Sequence, residues 1–219
     1  MQPESALLPD PLPAEPLGIA LAWQQWSRRQ ATQPNPDAMV LATAGTDGRP
    51  HARVVLCKDI VPVPGFITFY TNYESDKGRQ LAANARAATV MHWDQLHRQV
   101  RVEGPVIRTS AAASDAYFAT RYWQSRVGAW ASRQSQPLDR RQTLEREMDA
   151  VAARFGARGD DAVIPRPPHW GGFQLWAERV ELWIEGDARI HERAVWTRAL
   201  TRADDGYSAT AWTATRLQP

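Results

Sequence analysis

Cysteine and lysine are nearly missing from this chain of 219 residues, which has one of the first and two of the second. The lone Cys57 excludes an internal disulfide and fits a reducing cytoplasm. It sits in an apolar run, so buried filler suits it better than a nucleophile's role. No apolar run approaches the roughly 18 residues that a membrane span needs, so no membrane is expected and the chain reads as cytoplasmic. Met1 to Pro16 has no basic residue and is rich in proline and acids. It matches neither a signal nor a transit peptide and is expected to be a mobile arm before a single domain at 17–219. The five histidines show no H-E-x-x-H spacing and no cysteine pair supports them, which argues against a metal. There is no G-x-G-x-x-G, no Walker loop and no G-x-S-x-G, so the usual signs of nucleotide folds and serine hydrolases are missing. A net charge of +2 is too small to suggest nucleic acid as a partner.

Against those absences, arginine is abundant. Twenty-four of the 26 basic residues are arginine, and only Lys58 and Lys77 are lysine. A retained lysine can mark a place that needs a compact point charge rather than a planar fork.

Periodicity predicts a helix over Leu17 to Gln30, ended by Pro34 and Pro36. Strands are expected over Met39 to Thr43 and His51 to Lys58, around a turn at Gly45 to Gly48. A third follows at Phe66 to Thr71. Ser75 to Asn84 reads as a short helix with Ser75 as N-cap. Ala87 to Trp93 and Gln99 to Arg108 are two more strands. Helices are expected at Ser114 to Arg121 and at Gln136 to Phe155, where Leu144, Met148 and Val151 recur at helical spacing. A Pro/Gly/Asp loop over Arg158 to His169 precedes strands at Gly172 to Glu185, Arg189 to Arg198 and Ala209 to Arg216. Many strands with short links and a few helices predict a mainly β protein of α+β type, a β-barrel decorated with helices.

Several segments carry candidate chemistry. In a strand, Arg189, His191 and Arg193 would share one face and aim two guanidiniums and an imidazole at one space. Such a row is either a solvent face or an anion site with a group that can move protons. Arg53 and Lys58 lie five apart and point to opposite faces of a regular strand, unless a bulge re-aims one of them. Tyr70-Thr71 followed by Ser75-Asp76-Lys77 is a strand end running into a helix start, where free N–H groups and a lysine suit a phosphate. Tyr117, Arg121 and Ser125 recur every four residues and form one polar stripe if the helix continues. Gly128 to Ser135 is a dense polar turn. Gln99 offers an amide donor and acceptor on a strand, as the edge of a heterocycle demands.

These segments, in this order, resemble the pyridoxamine (pyridoxine) 5′-phosphate oxidase family of flavoproteins. The matching residues are Arg53-Val-Val-Leu-Cys-Lys58, Phe69-Tyr-Thr-Asn72, Ser75-x-Lys77, Arg98-Gln-Val100, Tyr117-Phe-x-x-Arg121 with Ser125, and Gly128 to Ser135. Trp170-Gly-Gly-Phe173, Trp183, Arg189-x-His191-x-Arg193 and Arg216-Leu-Gln-Pro219 complete the set. The resemblance implies a split β-barrel homodimer with FMN at the subunit interface. It implies that Arg53, Lys58, Tyr70, Thr71, Lys77, Gln99, Gln134, Ser135, Trp183 and Arg193 hold FMN. It further implies that Lys58, Tyr117, Arg121, Ser125, Arg189 and His191 hold a phosphorylated B6 vitamer, with Arg189 and His191 as the catalytic pair. The implied reaction oxidises the substrate's 4′ carbon and reduces O₂ to hydrogen peroxide. Two alternatives stand beside it: a same-fold flavin oxidase of a phenazine precursor, and a non-catalytic split-barrel protein that binds flavin or pyridoxal phosphate. The chain departs from the family pattern at Asp76, where a basic residue is common, and at Tyr122-Trp123. It also departs in lacking an N-terminal Arg-x-x-Tyr segment and in the hairpin over Asp204 to Ala209.

Overall fold

The computed structural model describes residues 5, 7–31, 33–156 and 163–219. Helix α1 spans Leu17–Gln30, as its periodicity predicts, and buries Leu17, Ala20, Trp23, Gln24 and Ser27. The Glu15 carboxylate accepts from the N–H groups of Leu17 (2.5 Å) and Gly18 (2.8 Å), serving two of the donors that a helix start leaves free.

Strands β1 (Ala38–Ala44) and β2 (Pro50–Leu56) form an antiparallel hairpin. There follow β3 (Asp59–Val61), β4 (Phe66–Asn72), α2 (Asp76–Ala83), β5 (Arg86–Trp93) and β6 (Arg98–Arg108). Helices α3 (Ala111–Ala119), α4 (Trp123–Ala131) and α5 (Arg141–Phe155) lie between β6 and β7 (Trp170–Trp176). The chain ends with β8 (Arg179–Ile184), β9 (Glu192–Thr197), β10 (Leu200–Ala203), β11 (Gly206–Ala209) and β12 (Thr213–Leu217).

One path of pairing runs β12-β9-β8-β6-β5-β1-β2, and a second joins β3, β4 and β7 back to β6. Because β2 leads directly into β3, the ring β6-β5-β1-β2/β3-β4-β7 curls into a barrel with a seam at Cys57-Lys58. Strand β6 serves both halves: Arg98 to Glu103 pairs with β8, and Val106 to Arg108 pairs with β7. The change of partner falls at Gly104, where a Cβ would strike the Trp176 carbonyl oxygen. Alternation places Met39, Leu41, Val100, Val102, Val180 and Leu182 in the core. A second cluster joins Phe118, Val127, Ile164 and Trp170 to Met148, Val151 and Phe155 of α5.

Several expected elements differ. The strand expected over 172–185 is two strands, because Ala177 and Glu178 step from one sheet to the other by bonds to Gly65 and Glu103 carbonyls. The polar turn expected over 128–135 is helical up to Ala131. The helix expected from Gln136 starts only at Arg141, with Arg140 still extended. The expected loop lies outside the described residues over 158–162. Of the expected arm, residues 1–4 and 6 also lie outside them. The described part rests against the sheet: Leu8 is buried, and Pro13 O accepts from Trp196 Nε1 (2.8 Å).

Candidate functional site

The carboxyl end of β4 and the start of α2 build one side of a cavity of about 550 Å³ lined by Lys58, Tyr70, Thr71, Lys77, Tyr117, Arg121, Ser125, Gln134 and Trp170, among others. Ser75 caps α2: its Oγ accepts from Gly78 N–H (3.3 Å) and donates to Asn72 O (2.7 Å). Lys77 Nζ donates to Gln134 Oε1 (2.8 Å), and Thr71 Oγ1 donates to the same oxygen (3.3 Å). Ser135, held at φ 71°, accepts from Asp76 N–H through its Oγ (3.2 Å). The polar turn after α4 is thus docked on the α2 start.

Arg53 lies beside this corner and does not line the cavity itself. Its guanidinium donates to Leu41 O (3.2 Å), Thr43 Oγ1 (2.5 Å) and Gln80 Oε1 (2.9 Å). Burial pushes the Lys77 pKa down, and the neighbouring Arg53 pushes it further; Asp76 opposes both. Burial also lowers Arg53. Asp76, whose charge acts on both cations, is paired with Arg79. Two crowded, partly desolvated cations at a helix start fit a phosphate. Lys58 reaches the cavity without a bulge: β2 ends at Leu56, and Lys58 follows in the seam, with its N–H on Thr68 O (2.8 Å).

Part of the lining is aromatic. Tyr70 and Tyr117 stack with centroids 3.9 Å apart, and Trp170 lies 5.5 Å from Tyr70. The Arg121 guanidinium sits over the Trp170 ring, and its Nη1 is buried with no hydrogen-bond partner. Burial lowers its pKa, against a smaller opposing effect of Tyr117. Tyr117, Arg121 and Ser125 would form one helical stripe only if the helix continued past Arg121, and it does not. α3 stops at Ala119, Arg121 lies in the link, and Ser125 falls in the first turn of α4. The break still brings all three to one cavity. Trp170, which the sequence offered only as the start of a family motif and with no site role, lines the cavity, and Gln80, which anchors Arg53, carries no local pattern that would have found it.

The remaining candidates lie elsewhere in the protomer. Gln99, Trp183 and Arg193 stand side by side across β6, β8 and β9. Arg193 is committed to the buried Glu181 (2.7 Å) and to Gln218 O (3.0 Å). Arg189 and His191 line a second cavity, of about 670 Å³, which shares no lining residue with the first. The expected alternation of Arg189, His191 and Arg193 on one strand face is corrected here. Ala188 and Arg189 adopt left-handed φ values of 51° and 66°, residues 187–189 form a short 3₁₀ turn, and β9 begins at Glu192. Only Arg193 lies on the strand. Among the described residues no cluster of three His, Cys, Asp or Glu side chains is placed to hold a metal ion, and no helix is long and apolar enough to cross a membrane.

A split β-barrel with a phosphate-suited corner in an aromatic-walled cavity is the class that fold and site define. The pyridoxamine 5′-phosphate oxidase family model matches residues 28–155, and that of the pyridoxine 5′-phosphate oxidase C-terminal dimerisation region matches 170–219. A pyridoxine/pyridoxamine 5′-phosphate oxidase of Gluconobacter oxydans is 47% identical over 95% of this chain and 96% of its own length. One from Burkholderia lata is 48% identical over 86% of this chain and 82% of its own. The crystal structure of PhzG from Burkholderia lata 383, in complex with tetrahydrophenazine-1-carboxylic acid, superposes with a TM-score of 0.81. It is 27% identical and covers 96% of this chain and 95% of that one. The chain belongs to the pyridoxamine 5′-phosphate oxidase family and is an oxidoreductase of that group.

Proposed function

We propose that this protein oxidises pyridoxamine 5′-phosphate and pyridoxine 5′-phosphate to pyridoxal 5′-phosphate, with O₂ reduced to hydrogen peroxide. FMN is the family's cofactor, and the crowded Lys77–Arg53 corner fits its phosphate. When bound, FMN supplies the two-electron acceptor for oxidation of the substrate's 4′ carbon; the protein's part is to bind and orient.

The observation that carries the substrate reading is the unpartnered, buried Nη1 of Arg121. Arg121 lines the cavity as a cation besides Lys58 and Lys77, so the cavity has cationic points enough for two phosphates. Tyr117 and Ser125 add hydroxyl donors, and Lys58 lies 6.0 Å from the Tyr117 ring centre. A phosphate, with three acceptor oxygens, uses such a donor set more fully than a carboxylate does. The greater identity to the oxidase than to PhzG, both from Burkholderia lata, favours the same reading over a phenazine precursor.

Thr71, Lys77, Gln134 and Ser135 meet at the cofactor corner, with Lys58 and Tyr70 lining the cavity beside it. Gln99, Trp183 and Arg193 face outward from the sheet in the dimerisation region or paired to it. In our reading the protein is a homodimer whose active sites combine the first cavity of one protomer with Gln99, Trp183, Arg189, His191 and Arg193 of the partner subunit. The separation of the two cavities within one protomer supports that arrangement.

The test is purified protein with FMN, O₂ and each phosphorylated vitamer, followed for aldehyde and peroxide. Formation of both is expected. Bound flavin without turnover would identify a carrier instead, and turnover of a reduced phenazine carboxylate alone would identify the phenazine reading.

A further inference from the structure

Between β8 and β9 the chain closes a tight knuckle. Gly186 N–H donates to His191 Nδ1 (3.2 Å), and Ile190 N–H donates to Asp187 O (2.9 Å). His191 N–H donates to Arg189 O (3.0 Å). Gly186 has no room for a side chain, because a Cβ there would strike the Ile190 carbonyl oxygen. The His191 ring leans on Trp183, with centroids 4.8 Å apart. Glu185 ties the base of the knuckle to the start of β6: its carboxylate lies 2.5 Å from His97 Nδ1, and its N–H donates to His97 O (3.1 Å).

A backbone N–H can only donate. The nitrogen that receives the Gly186 N–H must therefore offer a lone pair. Neutral imidazole has one protonated nitrogen, which leaves Nε2 as the carrier of the proton. We infer that the Gly186 N–H locks His191 in its Nε2–H tautomer, so that His191 meets the substrate as a hydrogen-bond donor and not as a proton acceptor. Gly186 is the positioning residue, because it supplies the N–H and is the one residue type that the knuckle admits there. In this form Nε2 has no lone pair with which to take a proton. Its N–H suits an oxygen of the substrate, either the ring hydroxylate or the 4′ oxygen of the alcohol. The contact with substrate rests on the proposed function; the tautomer does not.

The two are separable by experiment. In the FMN-loaded protein labelled with ¹⁵N-histidine, His191 is assigned by comparison with His191→Gln. A pyridine-type Nδ1 and a pyrrole-type Nε2 are expected; a pyrrole-type Nδ1 overturns the inference. In turnover of pyridoxine 5′-phosphate, His191→Gln keeps an amide donor and should hold kcat/KM within about tenfold, whereas His191→Leu should lose about 100-fold or more. Equal losses in both overturn the donor role. Gly186→Ala should lower kcat/KM while leaving FMN affinity unchanged. If the wild-type protein oxidises neither vitamer, the proposed function fails, while the nitrogen spectrum still decides the tautomer.

Discussion

The Arg121 guanidinium carbon lies 4.6 Å from the centre of the Trp170 ring, and one of its terminal nitrogens, buried, bonds to nothing in the protein. A desolvated donor of this kind costs free energy until an acceptor arrives. The Trp170 face offsets part of that cost. Under the proposed function, substrate phosphate is the acceptor that would convert this penalty into binding. We therefore expect Arg121→Met to raise KM for pyridoxine 5′-phosphate by about 10- to 100-fold. Thermal stability of the flavin-free protein should hold or rise. Steady-state kinetics and thermal melts check this; an unchanged KM with a collapsed melting temperature would assign Arg121 to the fold alone.

Lys77 should show the same opposition of stability and binding. Burial, and then Arg53, lower its pKa in the folded protein. Without an anion, the unfolded chain holds this proton more firmly than the folded one does. Stability of the flavin-free protein should then rise with pH between the lowered pKa of Lys77 and the ordinary lysine value, and the penalty is present in full below that window. Lys77→Met should abolish this rise and leave the flavin-free protein no less stable at neutral pH. It should weaken FMN binding by about 10- to 100-fold. Urea melts across alkaline pH and flavin-fluorescence titrations measure both.

Asp76 puts a negative charge beside the cation pair that is to meet the cofactor phosphate. It opposes the lowering of both Lys77 and Arg53 and is paired with Arg79. Asp76→Asn keeps the helix-start geometry and removes the charge. FMN affinity should improve about 3- to 10-fold at low salt, with the gain shrinking as salt screens the site. Equal affinities at low salt would show that the Arg79 pair already neutralises Asp76.

Cys57 should be inert. Burial, followed by the nearby Asp37 and Asp59 carboxylates, pushes its thiol up to about 12. At pH 8 about one molecule in ten thousand then carries the thiolate, the reactive form. An alkylating reagent should leave the native protein unlabelled and react with one thiol per chain in denaturant. Fast native labelling would contradict the buried placement.

Elements with strong periodicity were legible in the sequence. Leu17–Gln30 emerges to the residue, and Phe66–Asn72 and Arg86–Trp93 emerge within one residue at either end. A helical or alternating apolar pattern is a local imprint of one buried face. The helix expected to end at Arg121 ends at Ala119, but α4 was not legible as a separate helix, because the four-residue spacing of Tyr117, Arg121 and Ser125 suits one unbroken helix equally well. The knuckle was missed for a similar reason. Ala188 and Arg189 carry no sequence sign of left-handed backbone, and the alternating Arg189, His191 and Arg193 mimic a strand.

By itself the sequence determined the family, through ordered motifs spread along the chain, and the candidate residues that those motifs carry. Tertiary structure decided which of them meet. Lys58 enters the cavity because the barrel seam turns there, and Trp170 joins because β7 pairs with β4 and carries it to Tyr70. It also decided that Arg189 and His191 stand apart from Arg121, and that Gly186 fixes which nitrogen of His191 holds the proton. The physical reason is common to all of these. A motif specifies the type and order of side chains, whereas their distances and protonation depend on backbone groups from segments that close on one another only in the fold.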